Sequence, residues 1–162
     1  MSDDGGAMQY SEGKIGRVFT LRLEEGERVP DVIEEFAGSY GIRSALVTFL
    51  GGAAEGSRLI VGPEKNTGDV IVPMTYALQG IHEILAVGTL FPNEEGRPVL
   101  HMHAAAGREG RASMGCTRAG VDVWLIGEVV ILEILGISGQ RRKSPGAALE
   151  LLHLGLPHIP TA

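Results

Sequence analysis

PVLHMHAAAGREGRASMGCT, residues 98–117, is the stretch on which the reading of this chain turns. An apolar run over 98–106 leads into Gly107-Arg108-Glu109-Gly110, whose glycines mark a turn, and residues 111–117 then read as a returning strand. Side chains alternate across a strand, so His101 and His103 share a face. With a four-residue loop Ala106 stands opposite Arg111, which sets His101 opposite Cys116 and His103 opposite Met114. Opposed Cβ atoms lie about 4.5–5.5 Å apart, a span one metal ion bridges at about 2.0–2.3 Å from each nitrogen or sulfur. A slip of one residue would carry Cys116 to the other face. The same residues also fit polar decoration of a strand and an inert buried thiol. Convergence of three donors through one predicted turn favours the metal.

The preceding segment reads as a further strand over 81–91, joined to the histidine strand by the polar loop 92–97. In a register close to that loop the small residues Ala86 and Gly88 fall beside His103 and His101, leaving room for an ion. His82 lies several residues further down and is a poor fourth ligand from the same chain.

Composition bounds the rest. A chain of 162 residues with 44% hydrophobic content is long enough for one ordinary domain with its own core. Its one cysteine cannot form an internal disulfide, and neither a cationic leader nor an apolar run of membrane-spanning length is found. The expectation is a soluble, cytoplasmic protein with no membrane partner. A net charge of -6 argues against a broad phosphate-binding surface.

Along the chain, residues 1–13 are polar and glycine-rich, the pattern of a mobile tail. Alternation over 18–23 predicts a half-buried strand, and Glu24-Glu25-Gly26-Glu27 a turn. Val29, Val32, Ile33, Phe36, Ala37 and Tyr40 recur at helical spacing and predict the one main helix, ending at Gly41. Two β-rich runs follow, 42–50 and 58–62. Between them, Gly51-Gly52-Ala53-Ala54-Glu55-Gly56 lacks the Lys-Ser or Lys-Thr and the following helix of a phosphate loop, so it reads as a bulge or bend with no nucleotide cofactor. A long apolar strand over 121–134 is interrupted by Asp122, Gly127, Glu128 and Glu133. Glu128, set among Ile126, Val129, Val130 and Ile131, is expected to be partly buried, either as a catalytic carboxylate or as an interface residue paired with an arginine. Toward the end, Gly139-Gln140-Arg141-Arg142-Lys143 reads as a basic linker, and Ser144-Pro145 as a cap before a short C-terminal helix over 147–154. The expected class is α+β, a largely antiparallel sheet packed with one main helix and that short helix. The expected organisation is a tail at 1–13, a domain at 14–137, and a linker with short helix at 138–162. The two-sided apolar character of 121–134 calls for cover by a neighbouring subunit.

Several blocks taken in order resemble the plants-and-prokaryotes-conserved (PPC) domain. They are GRVFTLRL at 16–23, ALVTFLGG at 45–52, EILAVGTL at 83–90, His101-Met102-His103, Met114-Gly115-Cys116, and GEVVI at 127–131. The resemblance covers roughly 14–135. It implies a compact unit with a largely antiparallel sheet, assembled as a homotrimer. It also implies one departure: prokaryotic members carry Gly-Gly-His-Leu where this chain has Met114-Gly115-Cys116-Thr117, so Cys116 stands where the family places a third histidine. Imidazole and thiolate are both metal-ligand types. In plants the domain follows AT-hooks, but here Gly96-Arg97-Pro98 sits behind Glu94-Glu95 without flanking basic residues and reads as a turn.

Two functions follow. The first is a trimeric metal-binding protein, with a divalent transition metal, zinc foremost, on His101, His103 and Cys116 and a fourth position open to water or a small molecule. If it is an enzyme, a hydrolase or lyase with Glu128 moving protons fits. The second is a non-enzymatic regulatory or scaffold trimer that touches DNA through Arg141-Arg142-Lys143.

Overall fold

The computed structural model describes residues 8–67, 70–143 and 150–155. Eight strands form one path, in the order β1 (Lys14–Glu24), β9 (Val121–Leu135), β3 (Ala45–Ala53), β6 (His82–Pro92), β7 (Pro98–Arg108), β8 (Arg111–Cys116), β4 (Arg58–Thr67) and β5 (Val70–Ala77). Short β2 (Arg28–Val29) adds to β9, and all of these pairings are antiparallel. Helix α1 (Asp31–Ser39) packs its Ile33 and Ala37 against one face of the sheet. Phe36 stacks on Tyr40 and meets Phe19 edge-on, which ties the helix end to β1.

That face holds the core. On β6 and β7 the even-numbered residues Ile84, Ala86, Leu90, Leu100, Met102 and Ala104 are buried there. The odd-numbered residues point to the outer face, where Met114, Leu85 and Leu50 form a row across neighbouring strands with Ala105 between the first two. These three side chains are 68%, 64% and 54% exposed. A broad apolar outer face therefore lies open.

The glycine loop is a bulge. Gly51 and Gly52 pair with Gly127 and Trp124, so that Leu125 and Ile126 of β9 have no partner on β3. A Cβ on Gly51 would run into the Ile126 carbonyl, and one on Gly52 would come within 2.6 Å of the Trp124 oxygen. Only glycine fits beneath the bulged strand.

The C-terminal expectation is corrected. Residues 150–154 form strand β11 (Glu150–Leu154), not the end of a helix, and pair with β10 (Gly139–Lys143), the segment expected to be a linker. Residues 144–149, including the Ser144-Pro145 cap and the first part of the expected helix, lie outside the described residues. Over 150–154 the helical reading gives way to ladder pairing with β10, which docks beside β6 with Gly139 against the Phe91 ring. No described helix is long and apolar enough to cross a membrane.

Candidate metal centre

The centre starts with a tight turn. Glu109 and Gly110 both take positive φ, 53° and 73°, and Arg108 pairs with Arg111, the pattern of a two-residue hairpin loop. Gly107 and Arg108 thus belong to the strand rather than to a four-residue loop. The register moves by two: His103 stands opposite Cys116, and Met114 opposite Ala105. Because the shift is even, Cys116 keeps the face shared by His101 and His103.

Those three residues bring their donor atoms within 4.8 Å of one another. Tetrahedral zinc spaces such atoms about 3.3–3.8 Å apart, so small side-chain rotations close the set around an ion. The two imidazoles are nearly perpendicular, 88°, with centroids 5.0 Å apart. Both are exposed, whereas Cys116 is buried. The set is closed on the thiol side and open above the rings. Partial desolvation on its cleft side, together with the charges of Arg141, His103 and Arg118, holds His101 below the ordinary imidazole range although its outer edge meets solvent. A neutral ring keeps its lone pair for a metal.

The room around this set has a different origin from the one expected. Val87 and Thr89, not Ala86 and Gly88, stand beside His103 and His101. Ala86 and Gly88 face the core opposite Ala104 and Met102. A Cβ on Gly88 would meet Met102 Cβ at 2.6 Å, so its smallness serves strand packing. His82 is buried at the far end of β6, its Nδ1 3.0 Å from the Gly80 carbonyl oxygen.

Glu128 is exposed on the outer face, correcting the expected burial. It stands opposite Arg22 on β1, three strand spacings from β7, roughly 14 Å. That is too far to move protons at the triad of its own chain. The buried carboxylate of β9 is Glu133, which accepts hydrogen bonds from Arg17 Nε and Nη2, both at 2.7 Å.

Sequence reasoning missed the surroundings of the triad. Strand β8 ends at Cys116 while β7 continues toward Pro98, so backbone groups on that edge of β7 need other partners. Leu100 N–H donates to Glu34 Oε1 at 2.7 Å, and Thr117 Oγ1 donates to the Met102 carbonyl. Beyond this strand end opens a cleft of about 730 Å³, reached by His101, Arg118, Arg141 and Glu34. Arg141 crosses from β10, donating from Nη2 to the Thr89 carbonyl and Oγ1 at 2.9 and 3.1 Å and from Nε to the Val99 carbonyl at 3.3 Å. A polar run of the type Gln-Arg-Arg-Lys carries no sign that its middle arginine is buried.

Comparison with known proteins agrees with this architecture. The model of the Plants and Prokaryotes Conserved (PCC) domain matches residues 10–135, and the chain belongs to that family. It is similar in structure to a plant- and prokaryote-conserved (PPC) protein of Pyrococcus horikoshii, with a TM-score of 0.76 and 21% identity over 90% of this chain and 97% of that one. A metal-containing protein of Archaeoglobus fulgidus matches with a TM-score of 0.75 and 24% identity, over 90% and 99%. A Ralstonia eutropha protein, provisionally described as DNA-binding, matches with a TM-score of 0.67 and 18% identity, over 84% and 90%. At these identities the likeness establishes the fold. No curated protein matches the chain.

Proposed function

We propose that this protein is a homotrimer that binds a divalent transition metal, zinc foremost, through His101, His103 and Cys116, with a fourth position open to a small ligand. The observation that carries the reading is the convergence of three donors, within 4.8 Å, on one face of a single hairpin. The metal-containing Archaeoglobus fulgidus protein of the same fold supports it. The open apolar face of Leu50, Leu85 and Met114 supports assembly, since a patch of this kind marks an interaction surface. Zinc held by three protein ligands would supply Lewis acidity toward whatever reaches the cleft. The chain's own residues hold the ion, shield its thiol side and leave the imidazole side accessible.

Elemental analysis of the purified protein and zinc titration test the reading. One zinc per chain is expected, with uptake lost in the triple variant His101→Ala, His103→Ala, Cys116→Ala and the fold retained by circular dichroism. Wild-type protein that arrives without metal and takes up none would sink the proposal. The DNA-associated alternative loses one of its three cations, because Arg141 is buried in the wall of the cleft, where the phosphate backbone of a duplex does not reach. It is favoured only by a mobility shift at low salt that disappears when Arg142 and Lys143 are neutralised.

A further inference from the structure

Arg141 is 3% exposed, yet all its side-chain hydrogen bonds among the described residues go to neutral oxygens, two on Thr89 and one on Val99. No described carboxylate lies within ion-pairing distance of it. A buried guanidinium is normally paired with an anion, because leaving it unpaired forfeits its hydration without compensation. Burial accordingly holds this group below its ordinary range. Its place is fixed from three sides: by Thr89, by Val99, and by the Phe91 ring, whose centroid is 5.9 Å from the guanidinium carbon.

This fixed cation adjoins the triad. Thr89 Oγ1, which accepts from Arg141, belongs to the residue directly opposite His101 on the ladder, and so shares the outer face with it. Arg118, one residue beyond the Cys116-Thr117 step, is exposed and lines the same cleft. Two cations thus flank the imidazole side of the triad, with Arg141 within the wall and Arg118 at the surface. The remaining walls include Val99, Leu100, Ile71 and Pro73. Asp31, Glu34 and Glu150 also line the cleft, Glu150 being the carboxylate whose charge acts most on Arg141 though no ion pair joins them, and this acidic share disfavours a multiply charged guest.

We propose that this cleft binds a small organic acid with an apolar body, its single carboxylate paired with Arg141 and, in the metal-loaded protein, also reaching the open side of the His101–His103–Cys116 triad. The second half of this inference rests on the metal reading above; the first half does not. The cation pair selects the carboxylate, the apolar walls take the body, and the acidic residues reject phosphate.

Calorimetric titration of zinc-loaded and zinc-free protein with hexanoate, 3-phenylpropionate, 3-phenylpropionamide and inorganic phosphate tests it. The acids are expected to bind about ten-fold or more tightly than the amide or phosphate, the usual worth of a charge-assisted hydrogen bond. Zinc should tighten the acids and leave the amide unchanged. Arg141→Met should abolish the preference for acid over amide, and Arg141→Lys should retain part of it. Arg118→Gln, at an exposed position, weakens the acids several-fold even if the Arg141 variants fail to fold. Normal zinc uptake with acid and amide binding alike, or with no probe bound, overturns the inference and leaves the metal reading standing. Absence of zinc uptake overturns the metal reading and the bridging half, and the acid-to-amide ratio of zinc-free protein then decides the Arg141 half.

Discussion

Glu128 and Glu133 lie five residues apart on one strand, an odd number, so they face opposite sides of the sheet. Their apolar neighbours are similar, and nothing in the immediate sequence distinguishes them. What separates them is the arginine opposite: Arg22 stands across from Glu128 but has its Nε 3.4 Å from Glu24, whereas Arg17 grips Glu133 with two side-chain N–H groups and its backbone N–H. Those bonds from Arg17 hold the Glu133 carboxyl below the ordinary glutamate value. A carboxyl with a depressed folded-state pKa stabilises the fold above the unfolded value and loses that contribution as pH falls through the folded one. Glu133→Gln is therefore expected to lower the melting temperature clearly at pH 7. The gap to wild type should narrow steadily below pH 4.5, the ordinary carboxyl value. Paired thermal melts across pH 7 to 3 check this, and a gap that stays constant contradicts it.

At the scale of elements, the hairpin that carries the candidate metal ligands depends on a turn its sequence disguises. Glu109 occupies the left-handed region at φ 53°, where a side chain with a Cβ costs about 1–2 kcal/mol and asparagine costs less. Its one compensation is an exposed contact, Glu109 Oε1 to Arg108 Nε at 3.2 Å, of a kind worth little in water. Glu109→Asn should therefore stabilise the protein by about 0.5–1 kcal/mol, a rise of about 1–4 °C in melting temperature. Differential scanning calorimetry measures it, and a lowered transition would show that the ion pair outweighs the strain. Most strands of the main sheet and the main helix were legible because hydrophobic period is local. The hairpin register was not, because a glutamate gives no sign of a left-handed turn. His101, His103 and Cys116 still share one face because the slip is even. Strand β5 escapes pattern reading because Pro73 interrupts it, and β10 because its polar residues pair with distant leucines, Arg141 with Leu152 and Arg142 with Leu151. Arg141, the buried cation in the cleft wall, was hidden for the same reason: its burial is created by β6 and β7, far away in sequence.

For the whole molecule, one face of the sheet is closed by α1 and the other is not. The open face places Leu50 directly opposite Leu85, and on its far side the row continues through Ala105 to Met114. In a lone chain these side chains meet water, and exchanging them for charged ones removes no core contact. In a trimer that uses this face, the same exchange buries charges in an apolar contact, at a cost of several kcal/mol unless they are paired. The double variant Leu50→Lys, Leu85→Glu places opposite charges across the ladder, with the lysine also facing Glu128 on β9, so the strands themselves should tolerate it. Sedimentation velocity is expected to show wild type as a trimer and the variant as a monomer with an unchanged circular dichroism spectrum. A variant that remains a trimer would move the interface elsewhere, and a monomeric wild type would remove the trimer altogether. Because His101, His103 and Cys116 all come from one hairpin of one chain, the monomeric variant should still bind one zinc per chain. Loss of zinc on dissociation, with the fold intact, would mean that a neighbouring chain completes the site.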